Sequence, residues 1–463
     1  MSGEERPDFL VERRSIEFIP HELRHGKASD LMYVWFGANM ELPVVAAGAA
    51  TVAGGSNLGW TVVGILLGVL LGTLFMAAHS AQGPHLGLPQ MIQSRAQFGY
   101  YGAAFPLIFV VFMYLGFYAA GVVLGAQALA ALVGLPVPAG IVVLSVASAV
   151  VAVFGYNLIH RVERFLSFLV AAVFGVLTVL LVALHHGGAV MAQPSHGFAL
   201  GPFLLAVSVP AISQLAFAPY VADYARYLPE HTSVRSVFWY TYAGVGVSGA
   251  WLMVFGAALR QQLGGEPVAA ISQLAHGAGA WFAALTELAL ILGVLSINAL
   301  NIYGAYMSTL TFVTTFTRRW QGGLRLRLAY LIPVAIVSTY FGFLYQENLL
   351  DSFETFLVLI LALMSPWTAI NLVDYYLVRR GRYDVTAIHR PDGIYGRVSV
   401  GGLTAYLVGF LVQLPFMANK VYTGPVALAL HGGDISWIVG VLVSGGLYLA
   451  ATRKPATDAP TSA

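Results

Sequence analysis

The chain has 463 residues, of which 58% are hydrophobic and only 10% are charged, and its net charge is +2. Soluble domains carry about 25% charged residues, so this chain has too few charges to cover the surface of a soluble protein of its length. The small net charge predicts no nucleic-acid partner, and a sequence without Cys excludes disulfides and thiol catalysis. The composition therefore predicts a protein embedded in a lipid bilayer.

Twelve apolar runs follow one another along the chain, and a membrane-spanning helix needs about 20 such residues. They lie at 31–54, 58–82, 102–134, 137–159, 165–186, 200–225, 237–260, 284–316, 328–345, 349–378, 399–419 and 436–452. The first 30 residues are polar, without the apolar stretch of a cleaved signal peptide. We expect an all-α polytopic membrane protein with about 12 transmembrane helices: a tail at 1–30, five helices at 31–186, five at 200–378, two at 399–452 and a tail at 453–463.

The basic residues predict the orientation of these helices. With twelve crossings, all but two of the 23 Lys and Arg residues fall on the side of the two chain ends, the exceptions being Arg260 and Lys420. Loops rich in Lys and Arg stay on the cytoplasmic side of a membrane. We therefore expect both termini to be cytoplasmic, in the inner (plasma) membrane of the cell.

Polar residues at the middle of a membrane helix mark binding sites, because burying them in lipid is unfavourable. Four of the predicted helices carry such residues. They are Asn39 and Glu41 in the first helix, Tyr114 and Tyr118 in the third, on one stripe with Phe117 and Gly121, Ser213 and Gln214 in the sixth, and Ser296, Asn298 and Asn301 in the eighth. We expect these four helices to form the functional site.

Two of these helices also contain a proline that interrupts the helical hydrogen bonds. Pro43 cannot donate to the carbonyl of Asn39, and Pro219 cannot donate to that of Leu215. The first and sixth helices are five apart, as expected if helices 1–5 and 6–10 form an inverted repeat with two helices appended. Paired interrupted helices indicate the central site of a transporter. The alternative is that both prolines only kink packed helices.

The sequence resembles the nucleobase–cation symporter-1 family, in its purine–cytosine permease branch. The resemblance covers about residues 15–400 and is carried by the segments 35–39 (WFGAN), 87–91 (GLPQM), 94–99 (SRAQFG), 218–227 (APYVADYARY) and 366–376 (PWTAINLVDYY). It implies a five-plus-five inverted repeat of the leucine-transporter type, alternating access, and a cation gradient that drives uptake of nucleobases or related rings.

The resemblance also implies substrate contacts. The substrate amide of the eighth helix matches Asn301, the contacts of the sixth helix fall near Ser213, Gln214 and Phe217, and that of the first falls near Gly37. In the third helix the branch usually has a Trp and, four residues on, an Asn. This sequence has Phe117 and Gly121 there, which departs from ordinary cytosine or purine selectivity.

The residue types suit a flat, neutral ring. An amide donates and accepts hydrogen bonds at once, so Asn301 can read the edge of a base with two bonds. Phe117, Tyr118 or Phe217 can stack on the ring, which contributes about 1–3 kcal/mol where aromatic side chains stack on bases. Asn298 has the alternative role of bonding two helices together.

Glu41 is the residue that we expect to couple transport to a cation. A carboxylate at mid-membrane is unfavourable by about 3 kcal/mol and marks an ion or proton path. In this fold sodium takes oxygens from the first and eighth helices, including two adjacent hydroxyls, but here the eighth helix has Ser296 alone. We therefore favour H+ over Na+. The alternative is a protonated Glu41 that only bonds a neighbouring helix, while Glu287 is expected at the membrane interface.

The predicted function is cation symport of a nucleobase such as cytosine or a purine, by a monomer with no cofactor and no metal. The alternatives are transport of another small ring, namely a hydantoin, allantoin or a hydroxymethylpyrimidine, and, more remotely, a membrane-embedded enzyme. Residues 21–25 match the H-E-x-x-H zinc pattern, but they lie between Pro20 and Gly26 in a short tail. We therefore expect no metal there.

Overall fold

The computed structural model of the chain describes residues 17–52, 57–154, 156–184, 197–317 and 324–452. The predicted C-terminal tail and most of the N-terminal tail lie outside this part. Fifteen longer helices lie within it and are numbered in chain order. They are α1 Asp30–Ala38, α2 Leu42–Ala50, α3 Leu58–Ser80, α4 Ala104–Val133, α5 Val137–Phe154, α6 Tyr156–Leu184, α7 Leu200–Leu215, α8 Ala218–Ala225, α9 Val234–Leu263, α10 Pro267–His276, α11 Ala280–Phe316, α12 Leu324–Tyr345, α13 Leu349–Val373, α14 Val400–Gln413 and α15 Ser436–Thr452.

The architecture is the predicted all-helical one. Within the described residues, seven helical stretches are long and apolar enough to cross a membrane, and three shorter apolar helices accompany them. One stretch, Leu328–Val378, contains α12 from Leu328 onward and all of α13, while the first apolar run is divided between α1 and α2. The all-helical membrane fold is thus confirmed, and the number of twelve crossings stays a prediction.

Local sequence signals explain where helices begin and end. Asn57 precedes α3, and its side-chain oxygen accepts from the backbone N–H of Gly59 at 2.8 Å, a helix N-cap. Gly134 ends α4 with φ of 71°, a left-handed conformation that glycine adopts without strain. Such caps satisfy backbone groups that the end of a helix leaves without partners.

Helix packing repeats after a shift of five predicted crossings. The first crossing (α1 and α2) packs on the seventh (α9), as the sixth (α7) packs on the second (α3). The fourth (α5) packs on the eighth (α11), as the ninth (α12) packs on the third (α4). The fifth (α6) contacts α11, as the tenth (α13) contacts α4. Two related five-helix repeats would produce this correspondence, and the repeat boundaries themselves stay a prediction.

Glycines allow the closest of these contacts. A Cβ added to Gly68 or Gly72 of α3 would lie 2.2 Å from the backbone oxygen of Val207 or Ala211 in α7. No real Cβ tolerates that distance, so the two helix backbones meet directly. Small residues permit such close approach in membranes, where helices gain little from hydrophobic burial against each other.

One end of α13 is anchored by a buried carboxylate. Asp374 is fully buried and accepts hydrogen bonds from Gln97 Nε2 at 2.8 Å, Tyr383 Oη at 2.6 Å and Tyr448 Oη at 2.9 Å, and it pairs with Arg379 Nε at 3.1 Å. Burial and the Asp374 charge raise the pKa of Tyr383, which therefore remains a donor. These bonds join α13 to α15 and to the neighbouring loops, so Asp374 has a structural role.

Candidate functional site

The two predicted helix interruptions are present. Between α1 and α2 the chain leaves the helix at Asn39, and Glu41 is extended with φ of −145° and ψ of 154°. Pro43 lies in the first turn of α2, where its missing N–H leaves no helical bond unmade. At the second break α7 ends at Leu215, α8 begins at Ala218 and Pro219 lies in its first turn, while Ala216 and Phe217 between them keep right-handed helical backbone angles.

A cavity lies between these two breaks and the helices α4 and α11. Its volume is about 20 Å³, enough for a water and too small for a six-membered ring. Ring binding therefore requires side chains of the lining to move. The residues that line it are Glu41, Pro43, Val44, Met113, Tyr114, Phe117, Ser213, Ala216, Phe217, Tyr220, Ile297 and Asn301.

Five of the residues predicted to contact the substrate or to couple transport to a cation meet at this cavity. They are Glu41 beside the first break, Phe117 of α4, Ser213 and Phe217 around the second break, and Asn301 of α11. The side chains of Glu41 and Asn301 are 9% and 8% exposed. One carboxyl, one amide, one hydroxyl and two phenyl rings thus surround a single space. This set can hydrogen-bond the edge of a ring and stack on its face.

The other predicted contacts do not line the cavity. Gly37 faces α6, since a Cβ there would lie 2.7 Å from Ser167 Oγ. Tyr118 Oη donates to the backbone oxygen of Ser145 at 3.3 Å, and Gly121 faces Asn298. Ser296 precedes the lining residue Ile297 and is itself only partly buried. Of the stripe that the sequence proposed on α4, only Tyr114 and Phe117 line the cavity.

Gln214 also points away from the cavity. Its side chain is fully buried, and its Oε1 accepts a hydrogen bond from Asn39 Nδ2 at 3.1 Å. Neighbouring residues on a helix project about 100° apart, so Ser213 can face the cavity while Gln214 faces α9. The sequence alone did not distinguish Ser213 from Gln214 as a substrate contact. The rotation of α7 about its axis decides that only Ser213 faces the cavity.

Two aromatic residues of the lining were not predicted as contacts. Tyr220 follows Phe217 by three residues, a spacing that places both on one helical face and that indicates it from the sequence. Tyr114 was part of the predicted stripe, and its ring centroid lies 5.5 Å from that of Tyr220. Trp35 packs on Phe217 at 5.8 Å and on Tyr224 at 5.2 Å, which extends this aromatic layer beside α8.

Glu287 is buried by a neighbouring helix, and its expected position at the membrane interface stays a prediction. Its side chain is 3% exposed, and its Oε1 accepts a hydrogen bond from Ser272 Oγ of α10 at 2.5 Å. Packing of α10 against α11 covers it. The sequence missed this because α10 is a short helix between two crossings, whose position no apolar run predicts.

The zinc-like pattern of the N-terminal tail does not have the helical geometry of the zinc motif. His21–Leu23 is a single 3-10 turn, whereas the zinc motif requires both His on one face of an α-helix. His21 Nδ1 lies 3.2 Å from Glu230 Oε2, and His25 Nδ1 lies 2.9 Å from the backbone oxygen of Leu23. Within the described residues, no group of three or more His, Asp or Glu is arranged to hold a metal ion.

Comparison with known proteins supplies independent evidence. Residues 18–440 match the model of a family described as permease for cytosine/purines, uracil, thiamine, allantoin. The chain is 43% identical over 443 residues to the YxlA protein of Bacillus subtilis, covering 95% of each chain. It is 28% identical over 466 residues to the purine-cytosine permease fcyB of Emericella nidulans, covering 95% of this chain and 88% of the relative.

Solved structures of the transporter Mhp1 share the fold. The inward-facing conformation of Mhp1 superposes with a TM-score of 0.77 at 20% identity, covering 97% of this chain and 95% of the other. A closed conformation with bromovinylhydantoin bound gives 0.75 at 20% identity, covering 96% and 95%. The likeness confirms the predicted transporter fold of the leucine-transporter type.

Proposed function

Because the chain belongs to the nucleobase–cation symporter-1 family, and is therefore a membrane transporter and not an enzyme, we propose that it takes up a nucleobase such as cytosine or a purine. Uptake proceeds with symport of a cation, by alternating access to the cavity between the two helix breaks. Both chain ends face the cytoplasm, the membrane is the plasma membrane, and the monomer is the working unit.

The observation that carries this proposal is the set of side chains around the cavity. Asn301 offers both a donor and an acceptor, which suits the edge of a nucleobase, and Ser213 adds a hydroxyl on another wall. Phe117 and Phe217 supply faces for stacking. Because the free volume holds only a water, we infer that these rings move aside when a base enters.

Cation coupling is assigned to Glu41, with protons favoured over sodium. Its carboxyl lines the same cavity as Asn301, so its protonation state can respond to an occupied site. Ser296 is the hydroxyl of α11 that would serve sodium, and it is preceded by Leu295 and followed by Ile297, which have no hydroxyl. Sodium prefers several oxygen ligands, so a proton on Glu41 fits this set of groups better.

A related ring is the second candidate substrate. The likeness to Mhp1, one of whose structures holds a bromovinylhydantoin, supports a hydantoin, and the family description names allantoin. The departure at Phe117 and Gly121 fits this alternative, because these two positions of α4 offer no amide and a smaller aromatic side chain than the Trp and Asn that are usual in the branch. A hydroxymethylpyrimidine belongs to the same group of alternatives.

The test is uptake by the purified protein in proteoliposomes. Labelled cytosine, adenine, hypoxanthine, allantoin, a benzylated hydantoin and a hydroxymethylpyrimidine are each offered under an inward pH gradient, an inward sodium gradient or neither. We expect one base to accumulate under the pH gradient alone. Accumulation of a hydantoin or allantoin in its place selects the second candidate, and accumulation of no ring under either gradient contradicts both.

A further inference from the structure

A buried pair of amides joins the two helix breaks. Asn39 lies in the first break and Gln214 in the last turn of α7, directly before the second break, and both side chains are 0% exposed. Asn39 Nδ2 donates to Gln214 Oε1 at 3.1 Å. No side chain of the cavity lining takes part in this bond. The connection is therefore separate from the surface that a substrate would touch.

Helix α9, which packs against this pair, fixes the orientation of the two amides. Asn39 Nδ2 also lies 2.8 Å from the backbone oxygen of Val245 and 3.2 Å from Ser248 Oγ, both in α9, so its two hydrogens are shared among three acceptors. A carbonyl oxygen only accepts hydrogen bonds, so the nitrogen of Asn39 must face α9. Gln214 must then present its oxygen to Asn39. We call Asn39, Gln214 and Ser248 the break bridge.

The break bridge lies directly behind two polar groups of the cavity. Glu41 follows Asn39 by two residues, and its backbone N–H donates to the Asn39 backbone oxygen at 2.8 Å. Ser213 precedes Gln214 and lines the cavity. A shift of either amide thus displaces a cavity residue that is one or two positions away in the chain.

We propose that the break bridge holds the two breaks in register, so that Glu41 and Ser213 keep their positions and the two interrupted helices move together during transport. Gln214 is then a positioning residue and not a substrate contact. The transport readouts of this proposal rest on the function proposed above. A stability readout, given last, does not.

The first test exchanges the two amides. Asn39→Gln and Gln214→Asn each change the reach of one side chain by one methylene, while the double variant keeps both amides and the combined length. Loss of a buried hydrogen bond predicts at least a tenfold fall in uptake for each single variant. We expect the double variant to recover uptake to within about threefold of the parent. A double variant no better than the worse single variant overturns the proposal.

The second test uses a panel of bases that differ in one edge group. Gln214→Met keeps the length of the side chain and removes its oxygen. A residue that touches the ring changes the ranking of the bases, because one edge group loses its partner. A positioning residue lowers the affinity for all of them by the same factor. We expect an unchanged ranking, and an altered ranking makes Gln214 a substrate contact.

The third test disturbs the bridge from α9 without removing a polar group. A Cβ on Gly249 would lie 2.5 Å from Gln214 Nε2 and 3.1 Å from Asn39 Nδ2. Both atoms are ends of side chains, so they can yield while the fold survives. Gly246→Ala is the matched control, because its Cβ would lie 3.7 Å from Thr73 Cγ2, an ordinary contact. We expect Gly249→Ala to lower uptake at least tenfold and Gly246→Ala less than twofold, and equal effects contradict the proposal.

Thermal stability tests the break bridge without any knowledge of the substrate. Thermal unfolding of the purified protein is compared for Asn39→Ala, Gln214→Ala and the double variant. Residues that act through one shared bond give a double variant little worse than the worse single variant. Fully additive shifts overturn the bridge. If the parent transports none of the rings offered, the proposed function fails while this measurement still decides the bridge.

Discussion

The side chain of Asn298 in α11 fills the space beside Gly121 in α4. A Cβ built on Gly121 would lie 2.4 Å from Asn298 Oδ1, and the Asn298 side chain is fully buried. Neither polar atom of this amide has a hydrogen-bond partner among the described residues. The purine–cytosine branch that the sequence resembles usually has an Asn at the position of Gly121. In this chain the amide at that place belongs to the facing helix.

The first prediction follows from this relationship. Gly121→Asn adds a side chain where Asn298 already lies, and overpacking of this kind costs about 1–3 kcal/mol. We expect the melting temperature of the purified variant to fall by several degrees. Adding Asn298→Ala to the same chain makes room for the new side chain and restores the melting temperature. The explanation is wrong if Gly121→Asn melts with the parent, or if the second change fails to rescue it.

The second prediction concerns Asn301. Asn301→Ala removes the amide that faces the cavity and leaves a polar edge of the bound base without a partner, a loss of about 1–3 kcal/mol or roughly 10–100-fold in affinity. Binding to the detergent-solubilised protein measures this directly. Asn298→Ala, one turn away and outside the cavity lining, is the matched control and changes affinity less than about threefold. Unchanged affinity in Asn301→Ala gives this residue a structural role.

The third prediction separates coupling from transport. Glu41→Gln keeps the shape and hydrogen bonding of a protonated Glu but cannot titrate. Accumulation driven by a pH gradient should vanish, while exchange of internal for external substrate, which needs no net proton release, should survive.

Coupling to sodium through Glu41 predicts a different result for the same variant. If Glu41 binds sodium, Glu41→Gln raises the sodium concentration needed for half-maximal uptake and leaves the pH dependence alone. A variant that accumulates substrate like the parent under both gradients contradicts both coupling roles.

The fourth prediction tests orientation, and a chain without Cys is well suited to it. Single Cys residues replace Lys420, whose side chain is 56% exposed, and Asp392, whose side chain is 76% exposed. A membrane-impermeant thiol reagent added to intact cells should label position 420 and not position 392, because loops rich in Lys and Arg stay in the cytoplasm. Labelling of position 392 alone reverses the proposed topology.

The sequence by itself determined the fold class and predicted several of the residues that line the cavity. Apolar runs specify membrane helices, and no side-chain contact is needed to recognise them. Pro43 and Pro219, each beside polar residues at mid-depth, indicated both helix breaks, because proline removes a backbone N–H whatever the helix packs against. Polar residues at mid-depth identified Glu41, Ser213 and Asn301 before any neighbour was known, since lipid is unfavourable to all of them.

Only the tertiary structure decided which neighbours of these residues face the cavity. Ser213 and Gln214 are adjacent in the chain, yet one lines the cavity and the other bonds Asn39. Likewise, Phe117 lines the cavity, whereas the neighbouring Tyr118 donates a hydrogen bond to the backbone oxygen of Ser145. Adjacent residues differ by about 100° around a helix, and the rotation of a buried helix depends on all the helices packed around it. A helix that is apolar on every side carries no periodic signal of that rotation.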